Sequence, residues 1–271
     1  MKVIRGKKAL VTGAGSGIGK AIALELARQG VDLFLVDIDQ SSLDETTQIA
    51  RQLGVNTVKH CCDLADAAQI QAAVDRVQQD WGVLHILVNN AGITFYGRTE
   101  DMSADQWERL LAVNLLAPTR LIYLLLPMLR GQDEAHILNI CSIAGIVPSR
   151  KLAAYITSKH GLVGLSLALR AEYNGRGLGV TALCPGLVKT NLFERARRDG
   201  MLTSKIPNAD RLATTSEHVA RCAIQGIRRN RRIVLITWSG RLYCWTYRWA
   251  ASLIDWRQQR RGAARKSTVK T

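Results

Sequence analysis

Tyr155 and Lys159 stand four residues apart in Tyr155-Ile-Thr-Ser-Lys159, at the head of a stretch whose helical spacing runs to about Tyr173. That separation places both side chains on one face of a helix. An ammonium beside a phenol favours the phenolate and lowers the phenol's pKa toward the range useful for proton transfer. The same two residues on a solvated face would carry no chemistry, so the pair needs partners. Ser142 closes the apolar run that begins at Ala135, and Asn114 interrupts Leu110-Leu-Ala-Val-Asn-Leu-Leu-Ala. A mid-helix asparagine is a poor helix former and costly to bury unpaired, so something must hydrogen-bond it. Pro118 is placed to distort the helix there and free a carbonyl.

A second group of residues suits phosphate. Thr12-Gly-Ala-Gly-Ser-Gly-Ile-Gly19 lies between the apolar run Ala9-Leu-Val11 and a stretch of helical spacing from Lys20. Glycines let the backbone take positive φ or approach a ligand closely, and the N–H groups of a first helical turn attract a pyrophosphate. The spacing of Gly13, Gly17 and Gly19 is G-x-x-x-G-x-G, which departs from the common dinucleotide pattern G-x-G-x-x-G. About 20 residues on, Asp32-Leu-Phe-Leu-Val-Asp37 ends in an acid where such folds place a carboxylate against ribose hydroxyls. Asp37 would accept from both hydroxyls and repel a 2′-phosphate, and Ile38, Asp39 and Ser16 add no positive charge, so charge favours NAD over NADP. Asp63, at the end of a third strand, suits either an adenine amino group or the N-cap of a helix over Ala67 to Trp81. Asn89-Asn-Ala-Gly92 gives a tight turn whose amides tie strand ends together.

These residues need a sheet to present them. Apolar runs at Ala9–Val11, Asp32–Asp37, Val55–Asp63, Leu84–Val88, Ala135–Ser142 and Gly179–Pro185, with a seventh at Arg231–Thr237, alternate with helical stretches. The helices are expected over Ser41 to Leu53, with Ser41 or Ser42 as cap and Asp44 and Glu45 in the first turn, over Ala67 to Trp81, and over Ser103 to Leu129. This alternation predicts an α/β fold with a doubly wound parallel sheet of about seven strands. It spans one domain over 1–238, with an insert at about 187–215 and a C-terminal extension over 239–271.

In this order and at these separations, Thr12-Gly-x-x-x-Gly-Ile-Gly19, Asp63-Leu64, Asn89-Asn-Ala-Gly92, Asn114, Ser142, Tyr155-x-x-x-Lys159 and Pro185-Gly186 resemble the short-chain dehydrogenase/reductase family. The resemblance implies a Rossmann-type domain, a nicotinamide cofactor and interconversion of an alcohol and a carbonyl compound. It implies that Tyr155 is the general acid/base, that Lys159 lowers its pKa and binds the nicotinamide ribose, that Ser142 hydrogen-bonds the substrate oxygen and that Asn114 holds a water linking Lys159 to solvent. The cofactor contacts it implies are Gly13, Ser16, Gly17, Ile18, Gly19, Asp37, Asp63, Leu64, Asn90, Ala91, Gly92, Tyr155, Lys159, Pro185, Gly186, Val188 and Thr190. It also implies a homodimer or homotetramer built on the helices over 103–129 and 152–173.

The segments that would select substrate are apolar. Ile93, Phe95, Tyr96, Ile146, Val147 and Leu152 offer no base to fix a carboxylate, and the insert adds Leu192, Phe193, Met201 and Leu202 among Arg195, Arg197 and Arg198. Phe95, Ser142, Ile146, Tyr155, Leu192 and Phe193 are therefore the expected substrate contacts, and a lipophilic alcohol or ketone, steroid-like, fatty or cyclic, is the expected substrate. The insert's arginines leave open an anionic carrier such as a coenzyme A thioester.

Charge is concentrated at the C-terminus. The chain carries +15, and from Gly226 onward twelve Lys or Arg face the single acid Asp255. Leu242, Trp245, Trp249, Leu253 and Trp256 draw one apolar stripe along a helix, accompanied by Arg241, Arg248, Arg257, Arg260 and Arg261. Such a stripe fits docking on the domain or a second subunit first, and peripheral membrane contact through 240–261 next. Nucleic acid is not expected, because no recognised motif accompanies the charge. Six cysteines lie outside metal-ligand spacing, so no metal is expected, and Cys61, Cys141 and Cys184 fit buried strand positions. With no signal peptide and no apolar run of about 18 residues, the expected setting is cytoplasmic, with association at the periphery of a membrane. The resulting reading is an NAD-preferring oxidoreductase of lipophilic secondary alcohols. The alternative from another class is a non-catalytic sensor of nicotinamide redox state, or a peripheral membrane- or partner-binding protein.

Overall fold

Short runs of Val, Ile and Leu bounded by turn residues can satisfy their backbones only by pairing, and they can hide both faces only between layers of helices. The computed structural model, which describes residues 1–203 and 213–267 with side chains as far as Ser252, shows that arrangement. Seven strands, β1 (Lys8–Thr12), β2 (Asp32–Asp37), β3 (Thr57–Cys61), β4 (Ile86–Asn89), β5 (Ala135–Ile140), β6 (Leu178–Cys184) and β7 (Ile233–Leu235), form one parallel sheet in the order β3-β2-β1-β4-β5-β6-β7. The order reverses between β1 and β4. Beyond the carboxyl ends of those two strands the flanking loops part and leave a crevice.

Between the strands run α1 (Gly17–Arg28), α2 (Gln40–Gln52), α3 (Ala67–Trp81), α4 (Ala104–Leu111), α5 (Ala117–Arg130), α6 (Ala153–Tyr173), α7 (Leu192–Arg198) and α8 (Ser216–Arg228). The helix α9 (Trp238–Ser267) follows β7 directly and breaks from helical geometry at Ala250. Alternate residues of each strand serve the two faces. Val11, Leu35, Val88 and Leu138 pack with Ile22, Leu26, Leu43 and Ile224 of α1, α2 and α8. Leu10, Phe34, Leu87 and Ile137 pack with Ile70, Val77, Leu121 and Leu125 of α3 and α5. Each fully buried Leu or Ile side chain contributes roughly 1.5–3 kcal/mol. The helices that carry the site therefore rest on a rigid floor.

Several sequence expectations need correction here. Asp39, not Ser41 or Ser42, caps α2, accepting from Ser42 N, and its first turn holds no acid. Asp66, not Asp63, caps α3 by accepting from Ala68 N and Gln69 N. Cys61 is exposed because β3 is an edge strand, and its neighbour Cys62 is the buried one. The helix expected over 103–129 is interrupted at Ala112–Leu116 by a wide turn in which Ala117 N donates to Ala112 O. By length and composition alone, the combined stretch Ala104–Arg130 would be long and apolar enough to cross a membrane, with a mean hydropathy of 1.6 over an 18-residue window. It is a core helix, with Leu110, Val113, Leu121, Leu125 and Leu129 buried in the fold.

Candidate active site

The turn after β1 is held by Thr12, whose hydroxyl accepts from Asn90 N (2.9 Å) and Ala91 N (3.1 Å) and donates to Val88 O (3.3 Å). Asn90 returns the contact, its Nδ2 donating to Thr12 O (2.9 Å) and Gly13 O (3.1 Å). The carboxyl ends of β1 and β4 are thus locked together. Gly13 and Gly17 take positive φ, and a Cβ on Gly19 would stand 2.0 Å from Gly13 O, so α1 can close on the turn only with glycine there. Ser16 lies just before α1 in extended geometry without capping it. Uncapped first-turn N–H groups beside a crevice are a place for phosphate oxygens.

Asp37 ends β2, buried, with Oδ2 accepting from Gly15 N (2.7 Å) and Oδ1 from Asp39 N (3.1 Å). Each carboxylate oxygen keeps further acceptor capacity for hydroxyls. Asp63 stabilises its own turn through Ala65 N (2.9 Å) and pairs with Arg109 (3.0 Å). A third carboxyl, that of Asp39, is held below the ordinary carboxylate range by Ser42's backbone and side-chain hydrogen bonds.

On the other side of the crevice, Ser142 follows β5, its Oγ accepting from Ala144 N (3.1 Å) and hydrogen-bonding Tyr155. The following turn lies hard against α6, since a Cβ on Gly145 would come within 2.6 Å of Lys159 O. Lys159 is buried, donates from Nζ to Ile140 O (2.9 Å) and lies 5.7 Å from the Tyr155 ring centroid. Asn114, in the wide turn, accepts from Ile93 N (2.8 Å) and donates to Ile93 O (2.9 Å) and Ser158 Oγ (3.2 Å). Its buried amide therefore has the partners its sequence context demands.

Burial governs the ionisation of this group. The Tyr155 phenol is pushed up to about 12, chiefly by loss of solvation, with the Ser142 hydrogen bond opposing part of the rise. The Lys159 ammonium is pushed down by the same loss of solvation. In the protein by itself, loss of solvation is the largest influence on the phenol. Tyr155 rests protonated.

Most of these groups line one cavity of about 670 Å³. One end is walled by Gly13, Ser16, Gly17, Ile18, Asp37, Asp63, Leu64, Asn90, Ala91 and Gly92, and the other by Ile93, Val147, Leu152, Leu187, Leu192 and Phe193. Ser142, Tyr155, Lys159, Pro185, Gly186, Val188 and Thr190 lie along its length. Gly19 and Asn114 stand behind the wall and shape it. Phe95 does not reach the cavity: it is buried against Leu110, Ala154 and Met201. Ile146 faces a different cleft. The insert contributes through Leu187, Val188, Thr190, Asn191, Leu192, Phe193 and Arg195, and the expectation for 204–212 lies outside the described residues.

Sequence reasoning missed part of the wall. Thr237, Ser239, Gly240 and Tyr243 bring the start of α9 to the cavity, and Arg109 and Arg195 add positive charge to its rim. Only the path of the chain after β7 puts α9 there, and no local pattern announces it. Among the described residues, no group of His, Cys, Asp or Glu could hold a metal ion. The arrangement can hold a dinucleotide along the glycine turn and Asp37, and can give or take a proton at Tyr155.

Residues 7–200 match the family profile described as short chain dehydrogenase. Probable oxidoreductase EphD of Mycobacterium tuberculosis is 40% identical over 191 residues, which is 67% of this chain and 31% of that protein. The chain thus spans about a third of the length of that relative. Cyclohexanol dehydrogenase of an Acinetobacter species is 36% identical over 194 residues, covering 70% of this chain and 77% of that protein. A crystal structure of a short chain dehydrogenase/reductase from Burkholderia phymatum in complex with NAD superposes with a TM-score of 0.83 at 29% identity, covering 93% of this chain and 96% of that one.

Proposed function

Because the chain belongs to the short-chain dehydrogenase/reductase family, we propose that it is an NAD(P)-dependent oxidoreductase interconverting a lipophilic secondary alcohol and its ketone, with NAD preferred. The observation that carries this reading is the convergence of the Ser142 and Tyr155 hydroxyls and the buried Lys159 on a cavity whose far end holds the glycine turn and Asp37. A bound nicotinamide would supply the hydride acceptor or donor and, in its oxidised form, a positive charge.

The chain's own residues do the rest. Ser142 and Tyr155 hold the substrate oxygen between two hydroxyls. In the reducing direction Tyr155 gives its proton to that oxygen, and in the oxidising direction it takes the alcohol proton. Lys159 spends one N–H on Ile140 O and keeps two donors for a ribose. Asp37 accepts from the adenosine ribose hydroxyls and opposes a 2′-phosphate. Arg195 on the same rim opposes that preference, while Arg5 lies away from the cavity, against Gly30. The apolar walls at Ile93, Val147, Leu152 and Phe193 exclude water and favour an alkyl or ring substrate, as the cyclohexanol dehydrogenase relative also suggests.

The test is a paired NADH and NADPH titration by fluorescence, then a turnover screen of cyclic, fatty and steroid alcohols and ketones. NADH is expected to bind more tightly. Tyr155→Phe is expected to lose at least a thousandfold in kcat, with NADH affinity changed less than threefold. Turnover surviving in Tyr155→Phe would overturn the mechanism, and tighter NADPH binding would overturn the cofactor preference.

A further inference from the structure

The outward face of α9 has no part in the cavity chemistry. Trp238, Leu242, Trp245 and Trp249 are spaced four, three and four apart, one stripe along the helix, and their exposures are 74%, 44%, 62% and 74%. The opposite face, Gly240, Cys244 and Tyr247, turns toward the domain: Gly240 is buried, and a Cβ there would lie 2.5 Å from Ile143 Cδ1. For these residues the stripe does not pack on the parent domain, which was one of the alternatives the sequence leaves open. The stripe's remaining members, Leu253 and Trp256, and Arg257, Arg260 and Arg261 have side chains outside the described residues.

Beside the stripe, α8, β7 and α9 enclose a second cleft of about 880 Å³ that carries Arg229, Arg231, Arg241 and Arg248. Among the described residues no carboxylate lies within 4.0 Å of any of these four guanidinium groups. Guanidinium forks match phosphate oxygens, and uncompensated positive charge beside exposed indoles matches the boundary between lipid headgroups and acyl chains. We propose that this face docks on an anionic phospholipid surface, with the tryptophan stripe entering the headgroup layer and the arginines of the cleft holding lipid phosphates. Charge complementarity selects this occupant, since twelve bases face one acid from Gly226 onward. Leu242 within the stripe suits a hydrocarbon boundary better than stacked bases. Tyr243 and Ser239 of the same helix line the active cavity, so the docked face adjoins its mouth.

The full chain is spun with vesicles of phosphatidylcholine alone and of equal parts phosphatidylcholine and phosphatidylglycerol, at low salt. Sedimentation with the anionic vesicles only, accompanied by a blue shift of tryptophan emission, is expected. Trp245→Ser/Trp249→Ser and Arg229→Glu/Arg248→Glu are each expected to weaken vesicle binding at least tenfold while NADH affinity stays unchanged, which shows that both variants are folded. Four outcomes would overturn the proposal: no sedimentation, equal sedimentation with both vesicles, equal binding by wild type and variants, or binding of an oligonucleotide in place of vesicles. Self-association that the tryptophan variant loses, without vesicle binding, would assign the face to a second copy instead.

Discussion

His136 sits in the middle of β5, fully buried, with Nε2 2.9 Å from Thr181 Oγ1. The Thr181 hydroxyl already donates to Arg231 O (2.6 Å), so His136 must be the donor at Nε2, and its Nδ1 has no hydrogen-bond partner. Burial pushes its pKa down to about 3 from an ordinary 6.5. Between those values the unfolded chain binds the proton that the folded chain refuses. Stability from this residue is therefore fully present above pH 6.5 and is lost as pH falls toward 3. The Tm of the protein should drop between pH 7 and pH 4, and drop less steeply in His136→Gln; identical slopes in a calorimetric pH series would refute the assignment. At this scale the sequence is informative where a residue's needs are local. Asn114 in an apolar run and Tyr155 four residues before Lys159 both announce themselves. The direction in which Phe95 or Ile146 points does not, because it depends on which neighbour fills the adjacent space. The protonation of Tyr155 was hidden for a related reason, since burial is set by the surrounding loops.

The wide turn at Ala112–Leu116 is the element on which the candidate site depends most. By adding a residue to one helical turn it brings Asn114 to both backbone groups of Ile93, in the loop beside the cavity. Pro118 has no N–H with which to hold Asn114 O, which helps the helix widen there. Asn114→Ala would orphan the half-buried N–H and C=O of Ile93 and leave the Ser158 hydroxyl without its amide donor. It should cost about 3 kcal/mol, read as a lowered urea midpoint with unchanged m, and should reduce turnover beyond the loss of folded protein. A stability change below about 1 kcal/mol would show that the loop finds other partners. The helical period over 103–129 is plain in the sequence, but the break is not, because the surrounding packing decides it. Caps are ambiguous for a simpler reason. Asp39, Ser41 and Ser42 are all able to cap, as are Asp63 and Asp66, and where the preceding strand ends selects among them.

Across the whole molecule, the doubly wound architecture was readable because helical stretches separate every pair of successive apolar strand runs along the chain. The partnership of α9 with the cavity was not, since two segments far apart in sequence create it. The charge distribution also acts at this scale. With +15 overall and most of it C-terminal, the folded protein repels itself at low ionic strength. Raising sodium chloride from about a tenth of physiological ionic strength to physiological, where the screening length falls to ~8 Å, should raise Tm; a flat or falling Tm would show that the charges are already compensated. The two margins of the sheet have a further consequence. β3 carries the exposed Lys59, tied to Asp44, and β7 is only three residues long and continues straight into α9. A charged margin and a stunted one are poor templates for strand addition by a stray chain. A sheet of buried parallel strands with bare margins would otherwise invite edge-to-edge growth, and here each margin is blunted.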